Sequence, residues 1–272
     1  MAAQPAAVCT LTLAWQVFDD APVTVAANRD EAVGRPSEPP GRYRDEPAIV
    51  APRDVEAGGT WIGYNEFGVF AGITNKWTDA DLAGERSRGL LVADVLSAAS
   101  AVEAAEVLEA ATADAEYDGF YLVIADATDA YCYEWDGTLS RLEFDPGVHV
   151  VVNVAIDDHV DIPPHRVDAG RQQADSARAV RDALSDPTEE TAAEWLERAG
   201  GVLADHNYGV CLHENGYGTR SSSLIALGSS PTRHAFAPGP PCETAYEPVD
   251  LEAPGLAETR AISDDCSVEG HI

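Results

Sequence analysis

The chain has 272 residues, 45% of them apolar and 24% charged. That is enough apolar material to bury a substantial core, and it excludes a wholly disordered chain. Against 47 Asp and Glu stand 17 Lys and Arg, a formal charge of -30 that repels nucleic acid and anionic lipid, so neither is expected as a partner.

Lys76 is the only lysine, and the other basic residues are arginines. This acidic, lysine-poor surface predicts a halophilic protein. At about 1 M salt the Debye length falls to roughly 3 Å and carboxylate repulsion is screened, so the charge describes an environment rather than a function. The opening MAAQPAAVCTLTLAW has no basic segment before an apolar run, and no stretch reaches the length of a membrane span, so a cytoplasmic protein is expected. Five cysteines, Cys9, Cys132, Cys211, Cys242 and Cys266, form no CxxC pair; neither a disulfide framework nor a zinc site is predicted.

Residues 9 to 18 alternate in polarity, and VTVAANRD at 23 to 30 continues the pattern after turn residues Asp19, Asp20, Ala21 and Pro22. This reads as an antiparallel hairpin. A tight turn pairs residue i with about 41 minus i and sets Cys9 beside the Asn28 to Glu31 end. A Pro-rich loop is expected at 34 to 47. A second hairpin follows, GGTWIGY and FGVFAGITN around Asn65 and Glu66, with Gly58 and Gly59 permitting a close backbone approach. Helices are expected at 86 to 99 and 101 to 114, then a meander of strands at 119 to 126, 130 to 136, 139 to 144 and 147 to 155. A helix at 168 to 185 precedes another that Asp186, Pro187 and Glu189 would start with a capping box. Final strands are expected at 208 to 213 and 219 to 228, followed by a Pro-rich acidic segment. Sheets, helices, sheets, helices, sheets in that order predict an α+β, four-layer αββα sandwich with two stacked antiparallel sheets. Residues 1 to 8 are read as an extension or propeptide, 9 to 230 as one domain, and 231 to 272 as a segment packed on it.

Cys9 opens the first strand. Removal of residues 1 to 8 would leave a free α-amine on the residue that carries the thiol, and an α-amine pKa of about 7.7 to 8.0 suits it as the base for that thiol. Arg29 favours a thiolate and Asp30 can orient an α-ammonium. A buried structural cysteine and a surface ion pair are the plainer readings of these positions. Asn75 ends a strand, where a turn-forming role competes with that of an oxyanion donor. Asn153 lies inside an apolar strand, where an unsatisfied amide is costly. Trp61 and Trp77 serve core packing or face a ligand.

Taken together, CTLTLAW, ANRDE, GGTWIGYNEFGVFAGITN and YGTRSSSLIAL resemble the NRDE family, also called the transport and Golgi organisation two family, whose members resemble N-terminal nucleophile hydrolases. The resemblance runs from Cys9 to about Leu227. It implies the αββα fold, Cys9 as nucleophile, and Arg29 and Asp30 as its flanking pair, contiguous here where the cysteine branch usually separates them. It further implies that Asn75 and Asn153 hold the oxyanion and that Arg220 supports the pocket. The family's cysteine directly follows the initiator methionine, whereas eight residues precede Cys9, so processing or a start at Val8 is expected. The reading is a cysteine amidohydrolase of non-peptide C–N bonds acting through a thioester on a small-molecule amide or acyl ligand. Its rival is a non-catalytic carrier of haem or acyl-coenzyme A and lipid. His165, His206 and His213 with Asp205 and Glu214 fit no metal-binding spacing, so no metal or organic cofactor is expected.

Overall fold

The computed structural model describes residues 9–187, 190–214, 216–228 and 231–250. In chain order the strands are β1 (Thr10–Phe18), β2 (Ala21–Ala32), β3 (Ser37–Asp45), β4 (Ala48–Asp54), β5 (Ile62–Asn65) and β6 (Phe70–Asn75). Helices α1 (Arg88–Val95) and α2 (Ala101–Asp114) follow, then β7 (Phe120–Ala125), β8 (Ala130–Trp135), β9 (Leu139–Glu143), β10 (Gly147–Val152), β11 (Ala155–Ile156) and β12 (His159–Val160). Helices α3 (Val167–Leu184) and α4 (Ala192–Ala204) lead to β13 (His213–Glu214), β14 (Tyr217–Leu227), β15 (Arg233–Ala237) and β16 (Glu247–Pro248).

Among the described residues one sheet runs β12-β11-β10-β1-β2-β14-β15-β16 with β13 paired to β14, and the other runs β3-β4-β5-β6-β7-β8-β9. All pairings are antiparallel. Three apolar layers hold them. Leu11, Leu13, Val23 and Val25 of the first sheet meet Ile62, Tyr64, Phe70 and Val123 of the second. Outside, Ala177, Val180 and Leu184 of α3 and Trp195 of α4 pack on Ala14, Ala26 and Val150, while Leu91 and Val95 of α1 with Leu108 of α2 cover Ala71, Leu122 and Ile124. Alternate strand residues therefore fill opposite layers, and the molecule is an αββα sandwich. Among the described residues, no helix is long and apolar enough to cross a membrane.

Several expectations change in detail. The first hairpin pairs Thr10 with Asn28 and Trp15 with Val23, three residues out from the expected register: the turn is only Asp19 and Asp20, with Ala21 already paired to Phe18, which takes up two, and a bulge between Trp15 and Phe18, with Gln16 at φ 52, takes up the third. The expected loop at 34 to 47 contains β3, an edge strand where Pro39 and Pro40 fall in a register shift and cost no ladder hydrogen bond. The meander breaks after β9: β10 crosses to the other sheet and pairs with β1. Helix α4 starts later than expected, capped by Thr191 and Glu194 in a capping box; Glu189 lies outside the described residues. The expected strand at 208 to 213 is replaced by a 3-10 turn, His206–Tyr208, and β13. Beyond 230, β15 and β16 extend the sheet where the sequence showed no periodicity. Residues 1 to 8, the end of the segment from 251, and Cys266 with it, lie outside the described residues.

Candidate active site

Cys9 stands one residue before β1, half-buried, where the first sheet meets the second. Its Sγ lies 3.7 Å from the backbone carbonyl of Asp30 and donates to it. A cavity of about 350 Å³ opens here, lined by Cys9, Arg29, Asp30, Asn75, Trp61 and Arg88 among others. A second cleft of about 670 Å³, reaching from Asn75 to Lys76, Trp77, His165 and Tyr217, shares Glu31, Asn75, Arg88 and Asp118 with the first.

Asn28, Arg29 and Asp30 of β2 are held in different directions. Asn28 turns outward, its amide donating to Leu203 O at 3.0 Å and Val210 O at 2.8 Å. Arg29 turns inward: its guanidinium lies 4.0 Å over the Trp61 ring and 3.3 Å from Asp54 Oδ2, yet Nη1 is buried without a hydrogen-bond partner among the described residues. Asp30 is fully sequestered. Its Oδ1 accepts from the Thr219 hydroxyl at 2.5 Å and its backbone carbonyl from the Tyr217 hydroxyl at 2.6 Å, while Oδ2 is buried and has no partner among the described residues.

Opposite these residues β14 shifts register between Thr219 and Ser221, so that Thr219 faces Asp30 and Ser221 faces Arg29. The shift leaves Arg220 in the bulge. Arg220 is half-buried with its Nε unpartnered, and it lines neither cavity beside Cys9.

The electrostatics follow from burial. Desolvation and the Asp30 carboxylate push the Cys9 thiol up to about 12, against the opposing Asp30 carbonyl contact and Arg29 charge. Burial also raises the Asp30 carboxyl well above the usual carboxylate range. Both Arg29 and Arg88 are held below the ordinary guanidinium value by desolvation that their acidic neighbours do not offset.

Asn75 ends β6 and lines both cavities. Asn153 has a setting different from the expected oxyanion contact. It is completely buried, its Nδ2 donates to the Asn75 carbonyl at 2.6 Å and its Oδ1 accepts from Gln173 Nε2 at 3.0 Å. Its amide is therefore committed to holding the end of β6, because a fully enclosed amide must find partners within the protein.

Four residues here escaped the sequence reading: Asp54, Arg35, Arg86 and Arg88. Asp54 accepts from Arg35 Nε at 2.6 Å as well as from Arg29. Arg88 opens α1, where Nη1 donates to the Gly119 carbonyl at 2.7 Å. The available signal was the glycine pair. A Cβ on Gly59 would lie 2.3 Å from the Gly89 carbonyl carbon, and this close approach brings the start of α1, with Arg88, over the Cys9 cavity.

Of the other candidates, Trp61 lies under Arg29, and Trp77 is a core residue with Arg166 4.7 Å over its ring. His165 pairs with Asp79. His206 and His213 instead converge with Cys211 and Cys242 away from the cleft. Glu134, Asp136 and Asp161 also converge, around the Lys76 ammonium.

Comparison with known proteins decides the kinship. Residues 8–236 match the family model described as Transport and Golgi organisation 2. The chain belongs to that family. A Transport and Golgi organization protein 2 homolog of Bos taurus is 28% identical over 266 residues, covering 79% of this chain and 93% of the relative. Among solved structures, penicillin V acylase from Agrobacterium tumefaciens superposes with TM-score 0.52 at 15% identity, over 92% of this chain and 88% of the acylase. A mutant of the conjugated bile acid hydrolase from Clostridium perfringens superposes with TM-score 0.54 at 12% identity, over 92% and 94% of the two chains. This Transport and Golgi organisation 2 member thus has the sandwich fold of N-terminal nucleophile hydrolases.

Proposed function

We propose that this protein hydrolyses the C–N bond of a small-molecule amide, with Cys9 as nucleophile once residues 1 to 8 are absent and its nitrogen is a free amine. The observation that carries this reading is that the half-buried Cys9 thiol contacts the backbone carbonyl of Asp30, whose own side-chain Oδ2 is buried and has no donor among the described residues. An α-ammonium on Cys9 is the donor the site calls for. It would replace an amide that cannot take a proton by a base close to the thiol, where a pKa near 12 otherwise keeps the sulfur protonated.

In this reading the amine takes the thiol proton and sulfur attacks the amide carbon. The carbonyl oxygen becomes an oxyanion held by the Asn75 side chain. Collapse breaks the C–N bond, the leaving nitrogen takes the proton from the α-ammonium, and a thioester remains. Water, deprotonated by the same amine, attacks the thioester, releasing a carboxylic acid and restoring the thiol. Arg29 favours the thiolate, Asp30 orients the amine, and Asn153 positions Asn75. Arg220 supports the β14 bulge against Arg29 and Asp30.

The cavity also suggests the kind of amide. Arg29, Arg35, Arg86 and Arg88 line it together with Asp30, Glu31, Asp54 and Asp118, and burial leaves Arg29 and Arg88 under-compensated even with these acids beside them. An anionic group on the substrate offsets that burial, so amides carrying a carboxylate or similar charge are the expected substrates. The names of the superposed acylase and bile acid hydrolase agree with amide chemistry. The test is turnover of a panel of acyl amides by protein beginning at Cys9, beside a Cys9→Ala control and a haem titration. Turnover abolished by Cys9→Ala supports the hydrolase. Turnover surviving that change overturns it, and stoichiometric haem binding without turnover favours a carrier.

A further inference from the structure

Outside the cleft, four side chains of metal-binding type come together from three separated segments. Cys211 and His213 flank Leu212 at the start of β13, His206 opens the 3-10 turn before them, and Cys242 comes from the turn between β15 and β16. One ligand atom from each lies within 4.8 Å of the others. Cys211 Sγ is 3.5 Å from Cys242 Sγ, His213 Nε2 is 3.0 Å from Cys242 Sγ and 3.9 Å from Cys211 Sγ.

We propose that these four residues form a closed, tetrahedral Cys2His2 zinc site. Zinc–sulfur bonds of about 2.3 Å and zinc–nitrogen bonds of about 2.0 to 2.1 Å place ligand atoms on a tetrahedron with edges of about 3.4 to 3.8 Å. The three separations among Cys211, Cys242 and His213 bracket those edges, and the His206 ligand atom lies within 4.8 Å of each of them. Two soft thiolates with two imidazoles are the donor set that selects zinc among divalent ions. Hard calcium and magnesium, which take oxygen ligands, are excluded by the same set.

The backbone brings the ligands together before any ion arrives. Gly209, at φ 67, closes the 3-10 turn and returns the chain toward Cys211. Thr219 N donates to Leu212 O at 3.0 Å and Leu212 N to Thr219 Oγ1 at 2.9 Å, fixing the residue between two ligands. Glu243 N and Thr244 N both donate to Pro240 O, at 3.0 and 2.9 Å, which shapes the turn carrying Cys242. Binding exchanges two thiol protons for the ion; both imidazoles enter neutral, and no electron is transferred. With all four positions filled by protein, the ion is structural and staples the β15–β16 segment to the strand beside the active site. The connection to chemistry is short, since Leu212 grips Thr219, and Thr219 donates to Asp30.

The test uses the full, untagged chain purified under reducing conditions without chelator. Elemental analysis is expected to find one zinc per chain, with Cys9→Ala retaining it and Cys242→Ser or His213→Ala lowering it at least tenfold. Should those variants fail to fold, the wild-type chain is stripped with chelator and titrated with Co2+. Thiolate-to-cobalt charge transfer and the intense visible bands of tetrahedral cobalt, saturating at one equivalent, are expected. Stripped protein that gives no such spectrum overturns the proposal, as do full zinc content in Cys242→Ser or an intact mass two hydrogens short from a Cys211–Cys242 disulfide.

Discussion

The Cys9 thiol and the Asp30 backbone carbonyl meet at 3.7 Å, and the Asp30 side chain keeps one carboxylate oxygen buried without a donor among the described residues. The proposed nucleophile is thus tied to an acid one of whose oxygens has no donor among the described residues while Cys9 remains within a peptide. This relationship generates opposite consequences before and after exposure of the Cys9 amine.

With residues 1 to 8 attached, Asp30→Asn is expected to stabilise the protein at neutral pH by about 1 kcal/mol, because it removes a buried, under-satisfied charge. Burial raises the Asp30 carboxyl in the folded state. The unfolded chain therefore releases its proton first, and the cost appears as pH rises above the unfolded value. It is fully present above the folded value and vanishes in acid. In protein beginning at Cys9 the same substitution should be destabilising and inactivating, since the α-ammonium loses its partner. Urea melts of both forms across pH decide the matter.

Asn153→Ala should cost about 1 to 3 kcal/mol, the penalty for leaving buried partners unsatisfied, since it strands the Asn75 carbonyl and the Gln173 amide. Because Asn153 acts through Asn75, kcat is expected to fall about tenfold with little change in KM. Denaturant melts and steady-state kinetics separate the two effects.

Asp54 holds Arg29 and Arg35 together, and its Oδ1 accepts from the Glu56 and Ala57 amides. Burial alone would raise its carboxyl. Hydrogen bonds from Arg35 and Ala57, with both guanidinium charges, outweigh burial and hold it below the usual value. Its contribution is present above the unfolded carboxylate pKa and is lost as pH falls through the lower folded one. Asp54→Ala should destabilise by about 3 kcal/mol at neutral pH and flatten the acid limb of the stability profile, as measured by thermal melts from neutral to acid pH.

A charge of -30 predicts that salt stabilises the fold. The thermal midpoint should rise by about 10 °C between roughly 0.1 and 3 M KCl as repulsion is screened. A falling midpoint would show that the acidity is not a salt adaptation.

The sandwich was legible because its strands alternate, its helices follow in pairs, and Asp, Asn and Gly mark the turns. Residues 28 to 31 came out beside Cys9 although the register was three residues off, since strand ends meet within a short range of registers. Asp54 and Arg88 were invisible, since they reach the cleft only through the packing of β4 and α1 on the other sheet. Asn153 was recognisable as a buried amide but not as the anchor of Asn75, a partner 78 residues away. The Cys211 and Cys242 cluster was hidden for the same reason, with its second sulfur on a segment whose strands are two and five residues long.

Intact mass of protein beginning at Cys9, quenched in acid during turnover of a carboxylate-bearing amide, tests the central claim most directly. The account predicts an adduct equal to the acyl group, mapped to Cys9 by peptide fragmentation, that decays as the free acid appears and is absent in Cys9→Ala. Product formation at the same rate from Cys9→Ala, or an acyl adduct on another residue, would contradict it.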